Sequence, residues 1–171
     1  LAVREALTEG RMDDTARLLG RPYSISGHVV HGRKLGRELG RDAHRPAGFR
    51  TLNLRFAHAK PAAMGIFVVE VLGLADQPLA GVASLGVRPT VEDTGRVLLE
   101  VHCLEWPLGL EGGYGKLVRV ELLHKIRDEA RYDGLPELTA AIAQDTGDAR
   151  RWLAEQRLHA AQGRQTTRDR I

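Results

Sequence analysis

Apolar and polar residues alternate along much of the middle of the chain, and a period of two is typical of β-strands. Between residues 97 and 103 the odd-numbered positions are apolar, whereas Glu100 and His102 occupy the other face. Residues 117–122 alternate in the same way. The pattern predicts strands at residues 23–30, 52–56, 65–72, 79–87, 97–106 and 117–123.

At both ends of the chain the apolar residues recur at helical spacing. Residues 1–20 are predicted to be helical, with a break at Gly10 and an end at Gly20-Arg-Pro22. After Asp133-Gly134 the pattern predicts one or two amphipathic helices, with Pro136 in the first turn. Residues 159–171 are polar and are predicted to form a disordered tail.

The order of the elements predicts a mainly β fold. The strands follow one another without intervening helical segments, which argues against a parallel sheet and favours an antiparallel barrel or sandwich. A length of 171 residues with 43% apolar side chains suits one domain with a substantial core and room for appendages.

Composition narrows the cellular setting. The longest mainly apolar runs, such as residues 65–72, are far shorter than the roughly 20 residues that a membrane-spanning helix needs, so no membrane partner is expected. The single cysteine, Cys103, cannot form an intramolecular disulfide and fits the reducing cytoplasm. Because Cys103 lies on the apolar face of its strand, we expect a buried, inert thiol.

The net charge of +3 invites a nucleic-acid interpretation, but its location weakens that idea. Residues 159–171 carry three arginines and one aspartate, so a polar tail accounts for most of the excess. The tail has no aromatic residue on which a base could stack. We therefore expect no nucleic-acid partner, and a basic nucleic-acid-binding barrel is kept as an alternative.

The segment from Gly32 to Gly40 could bind phosphate. Gly32, Gly36 and Gly40 allow the backbone to approach an anion closely, and Arg37 lies among them. The segment matches neither the P-loop nor the dinucleotide-binding pattern. A flexible hairpin connection is the alternative.

Thr51, Asn53 and Glu100 are candidates for a catalytic centre. In an extended strand Thr51 and Asn53 point the same way and offer two neutral oxygens, which suit magnesium when phosphates and waters complete its shell. Glu100 is a mid-strand carboxylate that could serve as a general base. For Thr51 and Asn53 the alternative is a strand edge with two ordinary polar residues, and for Glu100 it is a solvent-facing residue of an antiparallel sheet.

Two other patterns are set aside. Gly81-Val-Ala-Ser-Leu-Gly86 lacks the spacing of a nucleophile elbow, because its first glycine comes one residue too early. His28 and His31 have no third metal ligand at a suitable spacing.

Taken together, residues 20–153 resemble the riboflavin kinase module of the bacterial bifunctional riboflavin kinase/FAD synthetase family. The resemblance rests on motifs in the same order: Gly27-x-Val29-x-x-Gly32-x-x-x-Gly36-Arg37-x-Leu39-Gly40, Thr51-x-Asn53-Leu54, Gly65-Ile-Phe-Val-Val, Gly81-Val-Ala-Ser-Leu-Gly-Val-Arg-Pro-Thr90, Leu99-Glu100-Val101-His102, Tyr114-Gly115-Lys116, Ile126-Arg127-Asp-Glu129-Ala-Arg-Tyr132 and Ile142-x-x-Asp145-x-x-x-Ala149-Arg150.

The resemblance implies a small, closed, six-stranded antiparallel Greek-key barrel with a C-terminal helix. It also implies that the protein binds riboflavin and ATP, uses Mg²⁺ as Mg–ATP, and forms FMN and ADP. Glu100 would be the catalytic base, and Thr51 and Asn53 would hold the metal and ATP. Further ATP contacts would come from Gly32, Gly36 and Arg37. Flavin contacts would come from His102, Arg127, Asp128 and Tyr132.

The same resemblance suggests the domain organisation. Residues 1–20 look like the end of a preceding adenylyltransferase domain and its linker, residues 21–158 form the kinase barrel with its helix, and residues 159–171 form the tail. The chain begins at Leu1 without methionine, as a piece of a longer, fused enzyme would. FAD synthesis is accordingly not expected from it.

Two departures from the family pattern lie between the glycine loop and the predicted metal ligands. Residues 41–48 form an eight-residue insert, and Arg50 replaces a proline that would restrict the backbone before Thr51. The alternative function is therefore a flavin- or nucleotide-binding barrel of the same fold with weak or no kinase activity.

Overall fold

The alternating segments of the sequence form six strands in the computed structural model, which describes residues 2–30, 51–55, 61–87, 97–107, 109–110 and 113–168. The strands are β1 (Tyr23–Val30), β2 (Thr51–Arg55), β3 (Gly65–Leu72), β4 (Leu79–Val87), β5 (Val97–Cys103) and β6 (Leu117–Arg127). The described helices are α1 (Ala2–Glu9), α2 (Met12–Leu19) and α3 (Leu135–Arg168).

All strand pairs are antiparallel, and the order β1-β2-β5-β4-β3-β6 closes into a barrel. Alternate residues of each strand point inward and form one apolar core. In β5 these are Leu99, Val101 and Cys103, all at most 1% exposed. The predicted barrel and the predicted buried position of Cys103 are both confirmed.

β6 is longer than the sequence predicts. Its pairing with β3 shifts register twice, because Val69 pairs with Leu122 but Val68 pairs with His124, and a second shift precedes the pair of Ile66 and Arg127. Each shift breaks the two-residue alternation from which the strand is recognised. The predicted end at residue 123 is the point where the first shift begins.

Two other strand boundaries differ slightly from the prediction. β5 ends at Cys103 rather than residue 106. Leu104 N–H still donates to the Ala80 carbonyl at 2.9 Å, and the Trp106 indole then donates to the Leu110 carbonyl at 2.8 Å across a turn. β2 begins at Thr51, one residue earlier than predicted.

The N-terminal helices belong to the same compact unit as the barrel, residues 1–130. Gly10 breaks the helical segment as predicted, because it adopts φ +75°, which side chains disfavour. Its N–H donates to the Leu7 carbonyl at 3.2 Å. Leu7 and Met12 are buried among the core residues of the barrel.

Residues 131–171 form a second unit. It contains the single 34-residue helix α3, and Pro136 lies in the first turn as predicted. Residues 154–168 are all exposed. The helix continues through residues 159–168, where the sequence predicts a disordered tail, whereas residues 169–171 lie outside the described part. Among the described helices, none is long and apolar enough to cross a membrane.

Candidate active site

Strands β2 and β5 bring four predicted site residues together. In the antiparallel register Asn53 pairs with Glu100 and Thr51 pairs with His102. These four residues alternate with Leu52, Leu54, Leu99 and Val101, which are buried in the barrel, so the site lies on the outer face. Each of the four residues is partly exposed, although the Nε2 atom of His102 is itself buried.

Glu100 lies between two polar neighbours. On its other side it pairs with Ser84 of β4. Directly opposed residues of antiparallel strands have Cβ atoms about 5 Å apart, so both Asn53 and Ser84 are within side-chain reach of Glu100. The same register continues across β3 to β6 and defines the Glu100 row: Asn53, Glu100, Ser84, Ile66 and Arg127.

The donor set at β2 fits a magnesium ion that arrives with phosphate ligands. Thr51 and Asn53 lie on the same strand face and offer one hydroxyl and one amide oxygen. Within the described ranges, no three His, Cys, Asp or Glu side chains come together in a metal cluster. Two neutral oxygens leave most of the octahedral shell of magnesium to phosphate oxygens and water.

The predicted flavin residues fall at different places. His102 lies two residues along β5 from Glu100, and Arg127 lies at the far end of the Glu100 row. Arg127 Nη1 donates to the Asp128 carbonyl at 3.0 Å. Tyr132 belongs to the second unit, so its contact with flavin stays a prediction.

The Asp128 carboxylate contacts Lys125. Its Oδ1 lies 2.6 Å from Lys125 Nζ. The hydrogen bond from Lys125, together with the positive charge of that lysine, lowers the pKa of Asp128. Asp128 is therefore ionised at neutral pH. Its predicted contact with flavin stays a prediction.

Ser84, which pairs with Glu100, contacts Glu129, and sequence reasoning gave neither residue a role of its own. Ser84 Oγ donates to Glu129 Oε1 at 2.6 Å. Ser84 is a polar residue at an outward position of β4, between the buried Ala83 and Leu85. That alternation was the available signal, but the contact of Ser84 with Glu129 joins residues 45 positions apart in the chain.

Several predicted features lie outside the described residues. They are Gly32, Gly36, Arg37, the insert at residues 41–48, and Arg50. Their roles in binding or orienting ATP stay predictions.

Comparison with known proteins identifies a family. Residues 19–153 match the family model of Flavokinase, described as riboflavin kinase. The chain is 43% identical over 152 residues to the bifunctional riboflavin kinase/FMN adenylyltransferase of Escherichia coli K12, covering 89% of this chain and 45% of that protein. The protein of the same description from Haemophilus influenzae is 36% identical over 149 residues, covering 87% of this chain and 44% of its own length.

A solved structure has a similar fold. It is described as a macrolide-efflux protein from Streptococcus pneumoniae and matches with a TM-score of 0.68 and 29% identity. The match covers 88% of this chain and 45% of that one. The chain thus spans about half the length of the curated relatives and of this structure.

Proposed function

The chain belongs to the riboflavin kinase family, and from that premise we propose that it transfers the γ-phosphoryl group of ATP to the 5′-hydroxyl of riboflavin. The products are FMN and ADP. The pairing of Asn53 with Glu100 carries the proposal, because it sets a neutral oxygen donor beside a carboxylate on one partly exposed face. The reaction takes place in the cytoplasm, where the single cysteine stays reduced.

Glu100 is the general base in this proposal. Its carboxylate accepts the proton of the 5′-hydroxyl as that oxygen forms a bond to the γ-phosphorus. The bond between the γ-phosphorus and the oxygen bridging to the β-phosphate breaks, and ADP leaves with that oxygen. Phosphoryl transfer depends mainly on positioning and charge neutralisation, so a base, a nucleotide site and an acceptor site are sufficient.

Thr51 and Asn53 hold magnesium as Mg–ATP. When bound, the ion neutralises charge on the β- and γ-phosphates. Because the protein contributes two neutral oxygens from β2, we expect little affinity for the ion without nucleotide. Titration calorimetry should show Mg²⁺ binding only when ATP is present; appreciable binding to the protein alone would contradict this assignment.

The acceptor extends along the Glu100 row away from β2. Three strand spacings separate Glu100 from Arg127, or about 14 Å along the barrel surface. An elongated molecule that passes outside the buried Ile66 and the Ser84–Glu129 contact can therefore bring its hydroxyl to Glu100 while its ring system lies near β6. We assign Arg127 and Asp128 to the ring end of the acceptor, and His102 to the part of the acceptor near Glu100.

The test is to incubate the protein with riboflavin and Mg–ATP and to separate the products by chromatography. We expect FMN, and we expect Glu100→Gln to reduce kcat by about 100-fold or more, since a positioned base typically contributes at least that factor. Asn53→Ala should likewise remove most activity by weakening the Mg–ATP site.

Glu70→Gln is the matched control. Glu70 is also a partly exposed mid-strand glutamate, but it pairs with Ala80 and Glu121 rather than with Asn53. Its replacement should leave FMN formation unchanged. A wild-type protein that binds riboflavin normally and forms no FMN would refute the kinase function.

A further inference from the structure

The Glu129 side chain crosses the outer face of β4. Glu129 follows the end of β6, and β3 lies between β6 and β4 in the barrel. Its carboxylate nevertheless accepts a hydrogen bond from Ser84 Oγ at 2.6 Å. It also lies so close to Gly86 that a Cβ atom at that position would overlap the carboxylate. Ser84 and Gly86 thus form the binding position of the Glu129 carboxylate on β4. Ser84 donates a hydrogen bond to it, and Gly86 leaves room for it because glycine has no side chain.

Asp128 and Arg127, which precede Glu129 in the chain, form contacts of their own. Asp128 Oδ1 lies 2.6 Å from Lys125 Nζ. Arg127 Nη1 donates to the Asp128 carbonyl. Residues 127–129 are therefore held at two points. Asp128 contacts Lys125 of β6, and Glu129 contacts Ser84 of β4, two strands away. Only the second point adjoins Glu100, through its partner Ser84.

The in-line geometry of phosphoryl transfer decides which substrate lies on the β4 side. The attacking and leaving oxygens lie on opposite sides of the phosphorus, so the acceptor and the nucleotide approach from opposite directions. The proposed nucleotide ligands Thr51 and Asn53 are on β2, on one side of Glu100. Ser84 is on the other side. The Glu129 carboxylate is consequently on the side of Glu100 from which riboflavin, the phosphoryl acceptor, approaches.

We propose that Glu129, held by Ser84 over Gly86, is a positioning residue that fixes residues 127–129 as one wall of the riboflavin site. This inference rests on the proposed kinase function. If this wall is already ordered before riboflavin binds, less conformational entropy is lost on binding. The Ser84–Glu129 hydrogen bond therefore raises the affinity for riboflavin and leaves the affinity for Mg–ATP unchanged. Glu129 does not itself exchange a proton or bond with either substrate.

The test compares three variants that break the same contact in different ways. Glu129→Ala removes the acceptor, Ser84→Ala removes the donor, and Gly86→Ala displaces the carboxylate without removing any polar group. Each should raise the KM for riboflavin by about tenfold, the effect expected from losing one charge-assisted hydrogen bond, with the KM for Mg–ATP unchanged. Glu129→Gln keeps an acceptor oxygen and should recover most of the affinity.

The Gly86→Ala variant distinguishes loss of the Glu129 contact from loss of folding. The flexible end of the Glu129 side chain can move away from a new methyl group, so the barrel should stay intact, as thermal unfolding can verify. Glu5→Ala removes an exposed carboxylate on α1 and should leave both KM values unchanged. The double variant Ser84→Ala/Glu129→Ala should be no worse than either single change, because both act through one bond.

Measurements of KM and of riboflavin binding together distinguish a failure of this inference from a failure of the proposed kinase function. If the wild type forms FMN but the three variants keep a normal KM for riboflavin, or raise both KM values equally, the positioning role is overturned. If the wild type forms no FMN, the kinase function fails. The quenching of riboflavin fluorescence then tests the wall directly: about tenfold weaker binding by the variants supports it, and unchanged binding overturns it.

Discussion

Glu100 and Glu70 are similarly exposed strand residues of the barrel, but their neighbours on the adjacent strands differ. Glu70 is likewise a partly exposed, mid-strand residue, but its neighbours are Ala80 and Glu121. Glu100 has Asn53 on one side and Ser84 on the other. Asn53 is a proposed ligand of the metal–nucleotide complex, and Ser84 donates a hydrogen bond to Glu129. The proposed general base therefore adjoins both the proposed nucleotide site and the segment proposed to border the acceptor.

At the same scale, the structure predicts that Cys103 is unreactive in the native protein. Burial raises the pKa of its thiol to about 11, and the residue is only 1% exposed. The thiolate is the reactive form, and at pH 8 only about one molecule in a thousand would carry it. A disulfide reagent such as Ellman's should therefore react slowly with native protein and rapidly after denaturation. Rapid labelling before unfolding would contradict the buried position.

At the scale of elements, strand faces could be predicted from the sequence, but strand partners could not. Alternation correctly assigned Leu99, Val101 and Cys103 to the core, because a two-residue period is a local property. The pairing of Asn53 with Glu100 joins β2 to β5, which are not consecutive in the chain, and no local pattern encodes that partnership. The contact of Glu129 with Ser84 could not be predicted for the same reason, since the two residues are 45 positions apart in the chain.

The junction between β3 and β6 yields a prediction about stability. Gly65 begins β3 with φ +128°, and a Cβ atom there would lie 2.7 Å from the Arg127 carbonyl oxygen. Because the obstacle is backbone, it cannot move aside as a side chain can. We expect Gly65→Ala to lower the free energy of unfolding by about 1–3 kcal/mol, measured by urea denaturation.

A glycine in open surroundings provides the control for this substitution. Gly163 lies in the exposed part of α3, and a Cβ atom there would meet no neighbouring atom within 4 Å among the described residues beyond its own helix backbone. Gly163→Ala should leave stability unchanged or raise it by up to about 1 kcal/mol through helix propensity. Equal destabilisation by both substitutions would show that the crowding at Gly65 is not the cause.

At the scale of the whole molecule, the N-terminal helices bear on where the kinase domain begins. The sequence predicts that residues 1–20 are the end of another domain and its linker, and the family model begins at residue 19. In the structure Leu7 and Met12 are nevertheless 7% and 4% exposed, and both pack with the barrel core. Whatever their origin, these helices cover apolar surface that the barrel alone would expose to water.

The stability of the barrel should therefore depend on α1 and α2. Replacing a buried methionine by alanine removes apolar contacts and leaves a cavity, so Met12→Ala should lower the free energy of unfolding by about 2–5 kcal/mol. Leu18→Ala, at a residue 54% exposed on the same helix, should change it by less than about 0.5 kcal/mol. A chain of residues 21–171 should unfold at a lower temperature than the full chain, because deleting both helices uncovers the same core surface. Equal unfolding temperatures would mean that the barrel folds independently of these helices and that the domain begins after them.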